Sequence, residues 1–344
     1  MAQIKKVTMK DIAQELDISI VTVSKALAGK EGVGDRLREV IIDKAKELGY
    51  IFKKNEDGEN VNRNVGILIA QRFVGDDSFY LSVYQKMLVE MTKRGIVGIL
   101  EVIIENDEKN KVLPTLLSIN KVDHIIVLGE VSREYLQALE ATGKNIVFFD
   151  FENEDFEFDS VVGDNINGGY LMTRHLMKQG YTDITFVGNY RSTRSILDRY
   201  LGYRKYMLMK GIDIREEDHI DDRDDEGNDL ELVLPDKMPD AFFCNCDVAA
   251  YRLIEKLNKA GYKVPEDVAV AGYDDYASNK IEGVELTTYR VNIEEMIYYA
   301  LNILEQKFQN PDYRYGTVIS YGRVIAREST KPPAAGKANN SKNG

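Results

Sequence analysis

The sequence predicts an all-α head of about fifty residues joined to a larger α/β body, and three observations carry that prediction. The first 54 residues hold three short amphipathic helical patterns with their own capping residues. From Val65 onward, short apolar runs alternate with helical stretches, the pattern of parallel sheets covered by helices. Charge divides at the same place: residues 1–54 carry eleven Lys/Arg against eight Asp/Glu, whereas the rest carry 34 against 49.

At 344 residues the chain exceeds the usual size of one domain, so a small module plus a two-lobed body is the natural organisation. Its 44% hydrophobic and 30% charged residues are those of an ordinary soluble protein, and its longest apolar runs fall far short of the roughly 20 residues of a membrane span. Met1 to Val7 carries Lys5 and Lys6 and runs into a polar amphipathic helix rather than an apolar signal core, so a cytoplasmic protein is expected. The net charge of −12 argues against nucleic acid only until it is divided, because a mildly basic head can dock on phosphates while an acidic body stays off the duplex. Cys244 and Cys246 stand two apart in a strand pattern, share a face, and read as small buried residues rather than as a disulfide or metal framework.

In the head, Thr8 and Asp11 form a capping box, with Met9, Ile12, Ala13 and Leu16 on one helical face. Ser19 caps a second helix with Val23, Ala26 and Leu27 at helical spacing, ending at Gly29. A third helix, about Asp35 to Leu48, presents Leu37, Val40, Ile41, Ala45 and Leu48 to the other two and stops at Gly49. The short turn between the first two makes a helix-turn-helix. Its second helix leaves Ile20, Val21, Thr22, Ser24 and Lys25 outward, where a recognition helix meets the major groove. The Thr22 and Ser24 hydroxyls suit phosphate oxygens, Lys25 a guanine edge or a phosphate, and Ile20 or Val21 thymine methyls. A helical protein-interaction module has the same periodicity.

The run VTMKDIAQELDISIVTVSKAL from Val7 to Leu27, continued by KELGYI from Lys46 to Ile51, resembles the headpiece of the LacI/GalR family of bacterial transcription regulators. The resemblance implies that Thr8, Thr22 and Ser24 hold the phosphate backbone while Ile20, Val21 and Lys25 face the bases. It thins at the linker, residues 55–64. The stretch FKKNEDGENVNRN from Phe52 to Asn64 lacks the Pro and the minor-groove Leu wedge usual in the family, and Val61 is its one apolar candidate for a wedge. Leu37 also stands where Thr is usual.

Apolar runs at Val65–Ala70, Val97–Ile104, Ile125–Leu128, Ile146–Phe149, Ile184–Val187, Ala241–Cys244 and Val268–Tyr273 read as strands of the body. Ligands bind at the carboxyl ends of such strands, and the residues there are polar: Asp76, Asp77 and Ser78, then Asp150, Asp247, and Asp274 with Asp275. With Phe79 to stack on an apolar sugar face and Arg199 to donate, these acceptors resemble a sugar site. DSFY (Asp77–Tyr80), GDNxxG (Gly163–Gly168), TRHL (Thr173–Leu176), DRYLGY (Asp198–Tyr203), AFFCNCD (Ala241–Asp247), GYDD (Gly272–Asp275) and REST (Arg327–Thr330) extend the family resemblance to about residue 330. It implies two Rossmann-like lobes of periplasmic-binding-protein type joined by three crossovers. The N-lobe would be about 65–161 and 291–323, the C-lobe about 162–290 and 324–330. It carries effector contact onto Phe79, Asp150, Ser195, Arg199, Asp247 and Asp274. Cys246 replaces an Asn usual before that Asp, which removes one hydrogen bond.

Residues 216–231 hold ten acids, and Asp222-x-Asp224-x-Glu226-Gly227 opens like a calcium loop, but its twelfth position is Val233 rather than Glu. The run therefore reads as a solvated acidic loop. His124, His175 and His219 lack metal spacing, no phosphate-cradling or nucleophile motif is present, and neither a cofactor nor a metal is called for. Residues 331–344 read as a disordered tail. The function expected is a sequence-specific DNA-binding regulator, a repressor, acting as a homodimer on a pseudo-palindromic operator and gated by a small polar effector, a sugar, with no membrane partner. Two other readings share these features: a sugar-modifying α/β enzyme with an attached head, and a sensor whose head binds protein.

Overall fold

The head folds as three helices, α1 (Met9–Glu15), α2 (Ile20–Leu27) and α3 (Asp35–Glu47), in a computed structural model that describes residues 8–27, 33–48, 63–75, 79–215, 219–276 and 283–332. The Thr8 hydroxyl accepts from the Asp11 N–H, and the Asp11 carboxylate accepts from the Thr8 N–H at 2.7 Å, which closes the capping box on α1. Ser19 Oγ accepts from the Thr22 N–H at 3.0 Å and starts α2 in the same way. Between them Asp17 takes a left-handed conformation, φ 52°, and turns the chain. Ile12, Ala13, Val23, Ala26, Val33, Ile41 and Ala45 form the core. Leu37 and Val40 do not join it, being 39% and 48% exposed: α3 packs through Ile41 and Ala45. The Arg38 guanidinium ties α3 to α2 by donating to the Ala26 carbonyl at 3.1 Å. The helix stops at Gly29 and Gly49, the linker wedge Val61, the strand-end residues Asp76, Asp77 and Ser78, and the tail beyond residue 332 lie outside the described residues.

The body is built on two parallel sheets. The larger has strand order β11-β5-β4-β3-β1-β2, from β1 (Asn64–Ala70), β2 (Val97–Ile103), β3 (His124–Leu128), β4 (Asn145–Phe149), β5 (Asp159–Gly163) and β11 (Thr317–Ser320). Helices α4 (Phe79–Lys93), α5 (Glu105–Asn110), α6 (Thr115–Ser118), α7 (Arg133–Glu140) and α11 (Ile293–Gln309) accompany it. The smaller has order β7-β6-β8-β9, from β6 (Ile184–Val187), β7 (His219–Ile220), β8 (Ala241–Cys244) and β9 (Ala269–Ala271), with α8 (Asn165–Lys178), α9 (Arg194–Met209) and α10 (Asp247–Lys259). The central strands are buried on both faces, which is why HIIVL and NIVFF are continuous apolar runs rather than alternating ones.

Three chain segments pass between the two sheets. One leaves β5 at Gly163. The others are β10 (Thr288–Arg290) and β12 (Arg323–Ile325), paired antiparallel. Asp275 fastens both, accepting from Arg290 Nε at 2.5 Å and from Arg327 Nη2 at 2.7 Å. The Asp164 N–H donates to the Ser320 carbonyl at 2.9 Å and ties the first crossover to the others. A buried ion pair anchors α11: Lys307 Nζ lies 2.7 Å from Asp159 Oδ2, and Asp159 Oδ1 accepts from the Tyr315 and Gly316 N–H groups.

Helices α8 and α9 touch backbone to backbone. A Cβ on Gly202 would lie 2.0 Å from the Ile166 carbonyl oxygen, and one on Gly169 2.1 Å from that of Arg199. This contact sets where Arg199 leaves its helix. Gly202→Ala is expected to force the helices apart and lower the unfolding free energy by about 1–3 kcal/mol. A urea midpoint equal to that of the unsubstituted protein would contradict so close a contact.

Candidate functional site

The outward face of the helix-turn-helix is carried by α2. Ile20 and Val21 are 48% and 64% exposed, large apolar side chains that the head's own core does not use. Ser24 and Lys25 are exposed beside them, and Thr22 is half-buried, its hydroxyl 2.8 Å from that of Ser19. Thr8 is exposed at the N-terminus of α1, where its hydroxyl also donates to Asp11. The six sequence-predicted DNA contacts thus divide between an exposed helix face and two helix N-termini, places where backbone N–H groups and partial positive charge suit a phosphate.

In the body, the four parallel strands of the smaller sheet each end in polar residues that come together. Asn189 follows β6, Asp222 and Arg223 follow β7, Asn245 and Cys246 follow β8, and Asp274 follows β9. Arg199 reaches them from α9. It is 5% exposed, donates from Nε to Asn165 Oδ1 at 3.0 Å and from Nη1 to the Asn245 carbonyl at 2.7 Å, and lies 4.0 Å over the Tyr273 ring. Its Nη2 is 3.2 Å from Asp274 Oδ1, yet that oxygen receives no hydrogen bond, so the contact is one of charge alone. Burial by itself lowers the pKa of the guanidinium; Asp274, Tyr273 and Asp150 outweigh it, so the group is held firmly charged.

The larger sheet contributes Asp150, which directly follows β4 in a left-handed conformation, φ 67°, and accepts from the Tyr80 hydroxyl at 2.8 Å. Burial raises Asp150 to about 6, against the pull of Arg199 and the Tyr80 hydrogen bond. Phe79 and Asp274 line one cavity of about 270 Å³ with Tyr276, whose ring stands edge-on to Phe79 at 5.8 Å. A second cavity, of about 500 Å³ beside α10, holds none of the predicted residues.

Asp150, Arg199, Asp274 and Phe79 are therefore brought to one place. Asp247 is buried, but its carboxylate is taken up within the protein, accepting from the Thr288 hydroxyl at 2.7 Å and the Tyr276 N–H at 2.8 Å; it positions the segment that carries Asp274. Ser195 sits in the first turn of α9, 3.1 Å from the capping hydroxyl of Thr193. Cys246 caps α10 through its sulfur, which accepts from the Ala249 N–H at 3.4 Å.

Sequence reasoning missed Tyr80, the next residue after Phe79, and the pair Asp222–Arg223. The acidic run is not solvated throughout: the Asp222 side chain is 0% exposed and that of Arg223 21%. Hydrophilic composition hid a strand end there, because β7 has two residues and little apolar signal. Among the described residues no cluster of His, Cys, Asp and Glu could hold a metal ion, and no helix is long and apolar enough to cross a membrane.

The profile of bacterial regulatory proteins, lacI family, matches residues 8–52, and that of the periplasmic binding protein-like domain matches residues 173–330. The HTH-type transcriptional repressor PurR of Actinobacillus pleuropneumoniae serotype 3 (strain JL03) is 25% identical over 333 residues, covering 94% of this chain and 98% of its own length. The crystal structure of the lac repressor dimer bound to operator and the anti-inducer ONPF superposes with a TM-score of 0.68 at 19% identity, over 95% of this chain and 99% of that one. The transcriptional regulator CelR–cellobiose complex gives 0.64 at 21% identity, over 94% and 100%. The two structural likenesses concern the fold. With a family headpiece at one end, a matching binding domain at the other and a repressor aligned along nearly the whole chain, this protein belongs to the LacI family of bacterial regulatory proteins.

Proposed function

We propose that the chain is a homodimeric transcriptional repressor that reads a pseudo-palindromic operator through α2 and is gated by a small neutral sugar. The sugar binds between an N-lobe of about 65–161 and 291–323 and a C-lobe of about 162–290 and 324–330. The observation that carries this reading is the joint placement of Asp150 and Asp274, at strand ends of the two sheets, with Arg199 of α9 and the aromatic Phe79. Carboxylates take hydroxyl hydrogens, guanidinium gives hydrogens to hydroxyl oxygens, and a ring covers a sugar's apolar face. A headpiece alone reads half of a two-fold site, which requires two copies. Support also comes from relatives: one similar structure is a dimer on its operator and another holds cellobiose. Because effector and operator bind the same protein, each changes the other's affinity by the same factor.

A thermal-shift panel of neutral mono- and disaccharides tests the effector class, since a ligand of the native state raises the melting temperature. No shift with any member contradicts a sugar. For the head, Lys25→Ala is expected to weaken binding to a duplex selected from random sequence by about tenfold or more, the size of one lost charge-assisted contact. Fluorescence anisotropy at several salt concentrations measures this, and unchanged affinity would favour a protein-binding head.

Effector binding is also expected to depend on pH. Asp150 rises from 3.8 to about 6 in the folded protein, and hydroxyls donate best to its ionised form. Affinity should therefore fall as pH drops through 6, by close to tenfold per unit below it, and Asp150→Asn should flatten the profile. Stability has the opposite sign: a raised carboxyl binds its proton more tightly when native, so this group's contribution is lost as pH rises from about 4 to about 6. Acid unfolding driven by Asp150 thus cannot mimic the loss of affinity. Calorimetric titration at pH 5 and 7.5 with a sugar from the panel reads the affinity, and thermal melts at the same pH values read the stability.

A further inference from the structure

We infer that Arg223, neutralised by the buried carboxylate of Asp222, is a specificity-determining residue that selects an uncharged polyol over sugar acids and sugar phosphates. This rests on the sugar-gated reading above and adds to it the residue and the chemistry that discriminate.

The Arg223 guanidinium is held on one edge. Its Nε lies 3.1 Å from each oxygen of Asp222 and its Nη2 2.7 Å from Asp222 Oδ2. Asp222 is itself saturated, accepting also from the Asn189 N–H at 3.2 Å and from Asn245 Nδ2 at 2.9 Å. Arg223 Nη2 points on toward Cys246 Sγ at 3.7 Å. The remaining nitrogen, Nη1, makes no hydrogen bond among the described residues and is not sealed from solvent. One donor is thus left open among the described residues.

Close by is a group with the complementary lack: Asp274 Oδ1 is a buried acceptor without a hydrogen bond. Arg223 is near enough to Asp274 to help hold its carboxyl down against burial. A hydroxyl group both donates and accepts, so neighbouring hydroxyls on one sugar can take the hydrogen from Arg223 and give theirs to Asp274. A carboxylate or phosphate cannot give one.

Charge decides the class. The Asp222–Arg223 pair sums to zero, and Arg199 is already shared between Asp274 and Asp150. No unbalanced cation is left in this group of residues to receive an anionic ligand, whose burial beside Asp150 and Asp274 would be strongly unfavourable. Arg223 acts here as a directional donor rather than as a counter-charge.

The test uses the full-length protein and calorimetric titration with D-glucose, D-ribose, D-xylose, cellobiose, D-glucuronate and D-glucose 6-phosphate. The unsubstituted protein should bind at least one neutral sugar and neither anion. Arg223→Gln and Arg223→Leu should each weaken that sugar by about 10-fold or more, the range for losing a charged donor, with melting temperatures used to confirm folding. Asp222→Asn, which keeps the shape and frees the charge of Arg223, should improve binding of D-glucuronate or D-glucose 6-phosphate relative to the neutral sugar by at least tenfold. Arg223 variants that bind the neutral sugar within threefold of the parent overturn the inference and leave the neutral-sugar reading standing, whereas a parent that prefers an anion overturns the inference together with the neutrality of the sugar. A parent that binds none of the six overturns both.

Discussion

A guanidinium charge buried to 5% exposure is tolerable only if every neighbour is arranged around it, and Arg199 imposes that arrangement on the smaller sheet. It takes an amide oxygen from α8, a carbonyl from the end of β8, a carboxylate from the end of β9, and the face of Tyr273. Removing any one leaves part of a buried charge uncompensated. The glycine contacts between α8 and α9 serve the same end, since a wider helix separation would carry the guanidinium away from Asn165. Packing and recognition are therefore one problem here, solved by small residues at 169 and 202 and a long one at 199.

Convergence of strand ends does the rest. A parallel sheet aims its carboxyl ends in one direction, so residues far apart in sequence, from Asn189 to Asp274, meet without any one loop having to be long. The head follows a different logic. Its core has seven buried residues among those described, while Ile20, Val21, Leu37 and Val40 remain exposed on α2 and α3. Only those on α2 lie beside Ser24 and Lys25, which makes that face chemically suited to a groove edged with phosphates.

The elements legible in the sequence were those whose local chemistry and tertiary setting agree. The capping box at Thr8 and the runs HIIVL and NIVFF name their structures without help from the rest of the chain. Strands β5, β7, β10, β11 and β12 were not foreseen, because edge and crossover strands of two to five residues are specified by their partners. The site divides in the same way. Asp150 and Asp274 stand out in the sequence because carboxylates at strand ends recur, and Arg199 because the family resemblance marks its position as a donor. Arg223 was not, because in a run of ten acids nothing local distinguishes the buried Asp222 from its solvated neighbours. Asp247 looks equivalent to Asp274 in sequence, and the hydrogen bonds it accepts from Thr288 and Tyr276 set it apart, since Asp274 Oδ1 accepts none.

The crossovers carry one more consequence. Three independent strands between two lobes would allow bending, twisting and sliding. Here β10 and β12 are paired, Asp275 locks Arg290 to Arg327, and Asp164 ties the first crossover to Ser320. Such a ribbon leaves a single soft degree of freedom, a rotation about its own line. A ligand held between the lobes, as proposed above, would then be reported in one variable, an angle, and ligands of different shape would differ in how far they turn the body rather than in which way.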